Sequence, residues 1–183
     1  MSDRKRIDWP LVRGVPGWTA ITVGTFFGAG LLPKAPGTWG TLAAMPLAWA
    51  VAPYSVLWKL VFWGILFLAG VWSGKKFQDL FGIADNQHIV MDEVVGFGIT
   101  ALLLPRDADW RYWMAAFVLF RFFDIVKLPP VGSLDEWSKT VAGRGTRPHE
   151  AWTGGFGVMI DDLVAGIQGL SILYLIVRYG PQF

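Results

Sequence analysis

The sequence predicts an all-α fold: a compact, single-domain helical bundle embedded in a membrane, with about four to six apolar helices, some of them short. Three observations carry that expectation. Apolar residues make up 54% of the 183-residue chain and charged residues only 16%, against roughly 25% charge in an ordinary soluble domain. There are 11 tryptophans, a residue that favours the lipid–water interface. The apolar residues also fall into discrete runs separated by Pro, Gly and charge, and two of these runs approach the roughly 20 residues that a bilayer crossing needs.

The runs follow one another in a readable order. Residues 1–16 are expected to form a basic cytoplasmic N-terminal arm, ahead of a membrane-associated helical domain over residues 17–183. No convincing cleavage signal follows the arm, so no signal peptide is expected. Gly17–Leu32 is apolar but broken by Gly24, Gly28 and Gly30, which makes it a poor candidate for a regular span. Pro33–Gly40 is dominated by turn formers and reads as a loop. Thr41–Ala52 and Val56–Gly74, parted by Pro53-Tyr54-Ser55, read as a helical hairpin. Lys75–Gln87 is mixed and charged. A short helix over Met91–Leu104, a turn at Pro105–Asp109 and a helix over Trp110–Val126 come next, stopped by Pro129-Pro130. Leu134–Trp152 is the longest polar stretch, and a last helix runs from Val158 to Val177.

Several function classes drop out on composition. A net charge of +2 without a basic and aromatic stripe gives no surface for nucleic acid. The absence of cysteine removes disulfides, thiolate metal sites and a thiol nucleophile. No Gly-x-x-x-x-Gly-Lys-[Ser/Thr] loop is present, so no nucleotide is expected as a partner. A Gly-x-Ser-x-Gly elbow is missing as well.

The chemistry-bearing residues are carboxylates at the edges of apolar helices. Asp92-Glu93 opens one such run, Asp161-Asp162 opens another, and Asp124 lies near the end of a third. With Lys34 placed on the inside of the membrane, alternating crossings bring Asp92, Glu93, Asp124, Asp161 and Asp162 to one side, together with most of the positive loops. A single acid at a helix start is ordinarily a cap. Capping does not account for doubled acids, nor for Asp124 at a helix C-terminus, where its charge is unfavourable. Oxygen donors from three helices suit a hard ion, Mg²⁺ above all, and argue against zinc. Arg121, Asp124 and Lys127 recur at i, i+3 on one helical face. They read either as an internal salt bridge or as a metal ligand flanked by two groups that grip phosphoryl oxygens. Lys34 and Thr38, in a loop where Gly37 and Gly40 free the backbone to face an anion, read either as a rigid turn or as a phosphate site. His88 and His149 read as surface or interface residues. Met91-Asp92-Glu93-Val94-Val95-Gly96 is echoed by Ile160-Asp161-Asp162-Leu163-Val164-Ala165-Gly166, where Gly96 and Gly166 would allow close helix approach.

Four ordered motifs are similar to those of the phosphatidylglycerophosphatase A family. They are Phe27-Gly28-x-Gly30-x-x-Pro33-x-x-Pro36-Gly37-Thr38-x-Gly40, Met91-Asp92-Glu93-Val94-Val95-Gly96, Phe120-Arg121-Phe122-Phe123-Asp124-Ile125-x-Lys127-x-x-Pro130 and Gly155-x-Gly157-x-Met159-x-Asp161-Asp162-x-x-Ala165-Gly166. The resemblance runs from about residue 20 to residue 175. It implies an all-helical, Mg²⁺-dependent hydrolase that removes the terminal phosphate of phosphatidylglycerophosphate at the bacterial cytoplasmic (inner) membrane, with its active site facing the cytoplasm. Carried over residue by residue, Asp92, Glu93, Asp124, Asp161 and Asp162 match the family's acidic positions, and Lys34, Thr38, Arg121 and Lys127 its polar and basic ones. The implied partners are an anionic phospholipid substrate and the bilayer. A small membrane transporter or Mg²⁺-handling protein is the competing expectation, and it requires a polar path to the far side of the membrane.

Overall fold

The computed structural model describes residues 7–82, 86–129, 132 and 148–180, with residues 148–151 described in backbone only. The described residues form six α-helices and no strand: α1 (Gly14–Gly24), α2 (Pro36–Val51), α3 (Val56–Phe81), α4 (Met91–Thr100), α5 (Trp110–Val126) and α6 (Pro148–Tyr179). Single 3₁₀ turns at Trp9–Leu11 and Ala29–Leu31 flank α1. The polar stretch over 133–147 and residues 1–6 lie outside the described residues. Of the expected N-terminal arm, Ile7 and Val12 are buried with Ile21, Phe77 and Ile89 in a small apolar cluster beside α1 and α3.

Local chemistry fixes most helix ends. Ser55 caps α3 by accepting from the Trp58 N–H, and Asp109 caps α5 by accepting from the Arg111 N–H. Gly82, at φ +70°, closes α3. Lys127 closes α5 in the left-handed region, two residues before Pro129. Three boundaries differ from the sequence expectation. First, α2 starts at Pro36 instead of Thr41, because proline is well suited to the first helical position. Its Gly37 and Gly40 serve as contact points for other segments, not as turn residues. Second, α3 runs past Lys75-Lys76 to Phe81, since Phe77 and Gln78 continue its buried face. Third, α6 begins ten residues before Val158 because Gly155 packs directly on the Val71–Lys75 backbone of α3.

The centre of the bundle is α4, with eight of its ten residues buried. It lies parallel to α6. A Cβ at Gly166 would stand 3.1 Å from the Gly96 Cα, and the buried Thr100 hydroxyl donates to the Gly166 carbonyl at 3.1 Å. α3 runs antiparallel to α6, with Gly70 on Met159 and Gly74 on Gly155. Trp63, Phe97, Phe120, Met159 and Leu173 fill the remaining interior.

Among the described residues, two helices are long and apolar enough to cross a membrane, Val56–Phe81 and Trp152–Tyr179, with mean hydropathies of 1.8 and 1.7. Leu57, Ile65 and Leu68 of α3 are 70%, 62% and 67% exposed, an apolar face that water would not favour. These features are consistent with a membrane protein, and α4 and α5 are shorter than its two long helices.

The parallel α4–α6 contact generates a prediction. Gly166→Ala should lower stability in detergent by about 1–3 kcal/mol, the usual cost of overpacking. Gly64→Ala, where nothing lies within 4 Å of the added methyl group, should leave the melting temperature unchanged or raise it. Thermal unfolding of both variants beside the parent chain measures the difference.

Candidate active site

Because α4 and α6 run in the same direction in matched register, their acidic pairs arrive side by side. Gly96 meets Gly166, and Asp92 and Asp162 each lie four residues before their glycine. Carboxylate oxygens of Asp92, Glu93 and Asp162 all lie within 4.8 Å of one another. Asp161 and Asp162 are 7% and 5% exposed. The Asp124 charge at the end of α5 and the Asp161 charge in the middle of α6 act on this trio. The five acids expected from sequence therefore occupy one site.

Two cations answer them. Arg121 Nη1 contacts Asp124 Oδ2 at 2.6 Å and stands 3.9 Å from Glu93 Oε1. This is the internal salt bridge that the i, i+3 spacing allows, and it also reaches α4. Lys127 does not join that row. Its left-handed backbone at the end of α5 directs Nζ to Asp161 Oδ2 on α6, at 3.1 Å. Among the described residues, two cations thus stand against five carboxylates.

Burial and like charge act together on these acids. Burial pushes the Asp92 carboxyl well above the ordinary carboxylate range, and the neighbouring Glu93 and Asp161 add to the effect. Glu93 is pushed up to about 7, chiefly by burial. Its Oε2 is buried without a hydrogen-bond partner, an orphaned acceptor that a cation would satisfy. Oxygen-only donors, a surplus of negative charge among the described residues and a buried orphan oxygen together fit a hard divalent ion such as Mg²⁺.

The N-terminus of α2 closes one wall. A Cβ at Gly37 would collide with Glu93 Oε1 and stand 3.1 Å from Arg121 Nη1. Only glycine lets the start of the helix, with its partial positive charge, approach so closely. Sequence reading treats Gly37 as a turn former and misses this contact; its place just after Pro36 at a helix start is the signal that would have found it. Lys34 and Ala35, at φ +62° and +49°, hold consecutive left-handed conformations that each cost about 1–3 kcal/mol in a non-glycine residue. They turn the chain so that α2 points at the site. Lys34 is exposed at its rim and makes no ion pair with the acids, and Thr38 sits in the first turn of α2. His88 stands apart, its Nδ1 2.9 Å from the Gly30 carbonyl, where it ties the 86–90 segment to the loop after α1. Only the backbone of His149 is described.

The matched family model is described as phosphatidylglycerophosphatase A and covers residues 22–177. Among curated proteins, Escherichia coli phosphatidylglycerophosphatase A is 36% identical, spanning 90% of this chain and 86% of its own length. The Haemophilus influenzae protein of the same name is 37% identical over 82% of this chain and 83% of its own. A Bacteroides thetaiotaomicron protein provisionally named a phosphatidylinositol-3-phosphatase is 37% identical, over 90% of this chain and 96% of its own. No solved structure matches the chain.

The Glu93 environment sets a pH dependence. Unfolded, the Glu93 side chain loses its proton near 4.5; folded without a cation, it holds the proton to about 7. The folded state binds more protons between these values, so the cation-free protein should lose stability as pH rises through this window. Melting curves in EDTA across that range should show the decline. Mg²⁺ should reverse it, and Glu93→Gln should make it shallower, leaving the part that Asp92 contributes.

Proposed function

The chain belongs to the phosphatidylglycerophosphatase A family, and we propose that it hydrolyses the terminal phosphate monoester of phosphatidylglycerophosphate, releasing phosphatidylglycerol and inorganic phosphate, with Mg²⁺ as cofactor. It is a phospholipid phosphatase. The observation that carries the reading is the meeting of Asp92, Glu93 and Asp162 oxygens within 4.8 Å, beside Arg121 and Lys127.

Asp92, Glu93 and Asp162 would hold the ion, with Asp124 and Asp161 beside them. When bound, Mg²⁺ supplies charge neutralisation at the phosphoryl oxygens and makes a water molecule more acidic. The remaining work belongs to side chains. Arg121 and Lys127 are paired to carboxylates in the absence of substrate and are free to exchange those partners for phosphoryl oxygens, which a guanidinium and an ammonium bind well. The N–H groups at the start of α2 face the same anion. Lys34 and Thr38, at the rim, meet the phosphoglycerol headgroup as it enters. A carboxylate of the cluster, Asp92 or Asp161, accepts the proton of the attacking water as the bond between phosphorus and the glycerol oxygen breaks; the proton then passes to that oxygen, which leaves as the alcohol of phosphatidylglycerol.

The diacyl tails stay in lipid, and the site faces the cytoplasm of a bacterial inner membrane. The lysine pair Lys75-Lys76, on the same side of the bundle as the acids, supports that orientation. A transporter would need a polar path beyond the acids. Trp63, Phe97, Phe120 and Leu173 are buried there instead.

Phosphate release by detergent-purified protein tests the proposal, with phosphatidylglycerophosphate and phosphatidylinositol 3-phosphate offered as separate substrates. The first should be strongly preferred in Mg²⁺ and hydrolysis should stop in EDTA. Asp92→Asn, Asp124→Asn and Asp161→Asn should each lose at least about a hundredfold in rate with the fold retained. Undiminished activity in EDTA, or in all three variants, would refute the mechanism.

A further inference from the structure

The far end of α3 carries a second charged feature that the acid site does not use. Lys59, one turn into this membrane-crossing helix, is only 6% exposed, yet its ammonium group has no hydrogen bond or ion pair among the described residues. Gly70, which packs on Met159 just before the acids of α6, lies about 16 Å further along the helix. Lys59 is one wall of a cavity of about 270 Å³, lined otherwise by Val51, Tyr54, Trp58 and Phe62. The Lys59 ammonium reaches this open cavity with no anion beside it among the described residues, and in a membrane segment such a cation marks a place where a partner binds.

The surroundings specify the partner's chemistry. The first turn of α3 contains no acidic residue, so the positive end of the helix adds to the Lys59 charge. Tyr54 and Trp58, exposed at 63% and 66%, bring a phenol and an indole N–H to the same mouth, the amphipathic pair favoured at a lipid headgroup boundary. Leu57, Val61 and Ile65 continue from this mouth as an exposed apolar strip along α3. A free anion would gain nothing from that strip, whereas an acyl chain would.

We propose that Lys59, with Tyr54, Trp58 and the start of α3, binds the phosphodiester headgroup of an anionic phospholipid, separate from the phosphatase site and at the opposite end of the bundle. The lipid is held as a bound companion and undergoes no reaction there.

The test uses the full detergent-purified chain and a phosphatidylglycerol probe with a photoreactive group near the headgroup end of an acyl chain, labelled residues being mapped by peptide mass spectrometry. Labelling should fall within residues 54–62. Unlabelled phosphatidylglycerol should displace the probe there about tenfold better than phosphatidylcholine, and inorganic phosphate should not displace it. Lys59→Met should lose this labelling and Lys59→Arg should keep it. Equal displacement by the two lipids, or Lys59→Met labelled like the parent, would overturn the proposal. The displacement comparison uses the unaltered protein, so it decides the matter even if Lys59→Met fails to fold.

Discussion

The site depends on a backbone contact that no side chain makes. Gly96 and Gly166 let α4 and α6 touch along their backbones, and any Cβ at Gly166 would meet the carbonyl and Cα of Gly96. Parallel helices in van der Waals contact have a fixed register, so the residues one turn earlier must also be neighbours. Those residues are acids in both helices. Packing that is favourable in apolar surroundings thereby forces together charges that repel. The buried Thr100 hydroxyl, bonded to both the Gly96 and the Gly166 carbonyls, pins the register from the other side. Among the described residues, Arg121 and Lys127 answer this electrostatic conflict in part, and the oxygen donors left over suit the divalent cation proposed above.

Much of this was legible in the chain. The recurrence of an acidic pair ahead of a small residue in two helices was visible as a sequence echo, and it proves to be the spatial pairing itself. The shared side of Asp92, Glu93, Asp124, Asp161 and Asp162 followed from charge alternation, and the all-helical class followed from composition. Less was visible where a residue type carries two meanings. Gly37 and Gly40 look like turn residues in a Pro- and Gly-rich stretch; they are helical, and are small because Glu93 and Val90 press against them. Lys127 seemed to extend the Arg121–Asp124 row, but the helix ends at Val126 as expected, and the Lys127 side chain beyond it turns to Asp161. Periodicity reports a helix face only as far as the helix continues.

The cost of the arrangement is carried by the backbone around it. Lys34 and Ala35 occupy left-handed conformations without being glycine, and Phe26 and Phe27 do the same at the end of α1. Strain of this kind persists only where surrounding packing over-determines it. Here both strained turns border the segments that wall the site. One aims α2 at Glu93 and Arg121, and the other sets the loop whose Gly30 carbonyl meets His88.

Depth is the remaining consequence of short helices. Met159 is level with Gly70 of α3, so Asp162 lies about 12 Å from the level of Lys75 along that helix, given 1.5 Å per residue and antiparallel packing. A full-length crossing in the place of α4 would start at the membrane surface and carry its acids there. Instead α4 starts inside the protein, and the irregular segment before it needs partners for its backbone in a region poor in water. It has them: the Val90 N–H donates to the Gly24 carbonyl at 2.8 Å, and the His88 N–H to Asn86 Oδ1 at 3.1 Å. This pinned segment brings the chain into α4 without a full crossing, so that its acids meet those of α6 below the level of Lys75. A lipid phosphate that reached them would exchange water for fixed dipoles and cations, where electrostatic interactions are stronger than at an open surface. Shortening α4 and sinking its acids are therefore one structural decision, and the glycine contact with α6 makes it pay.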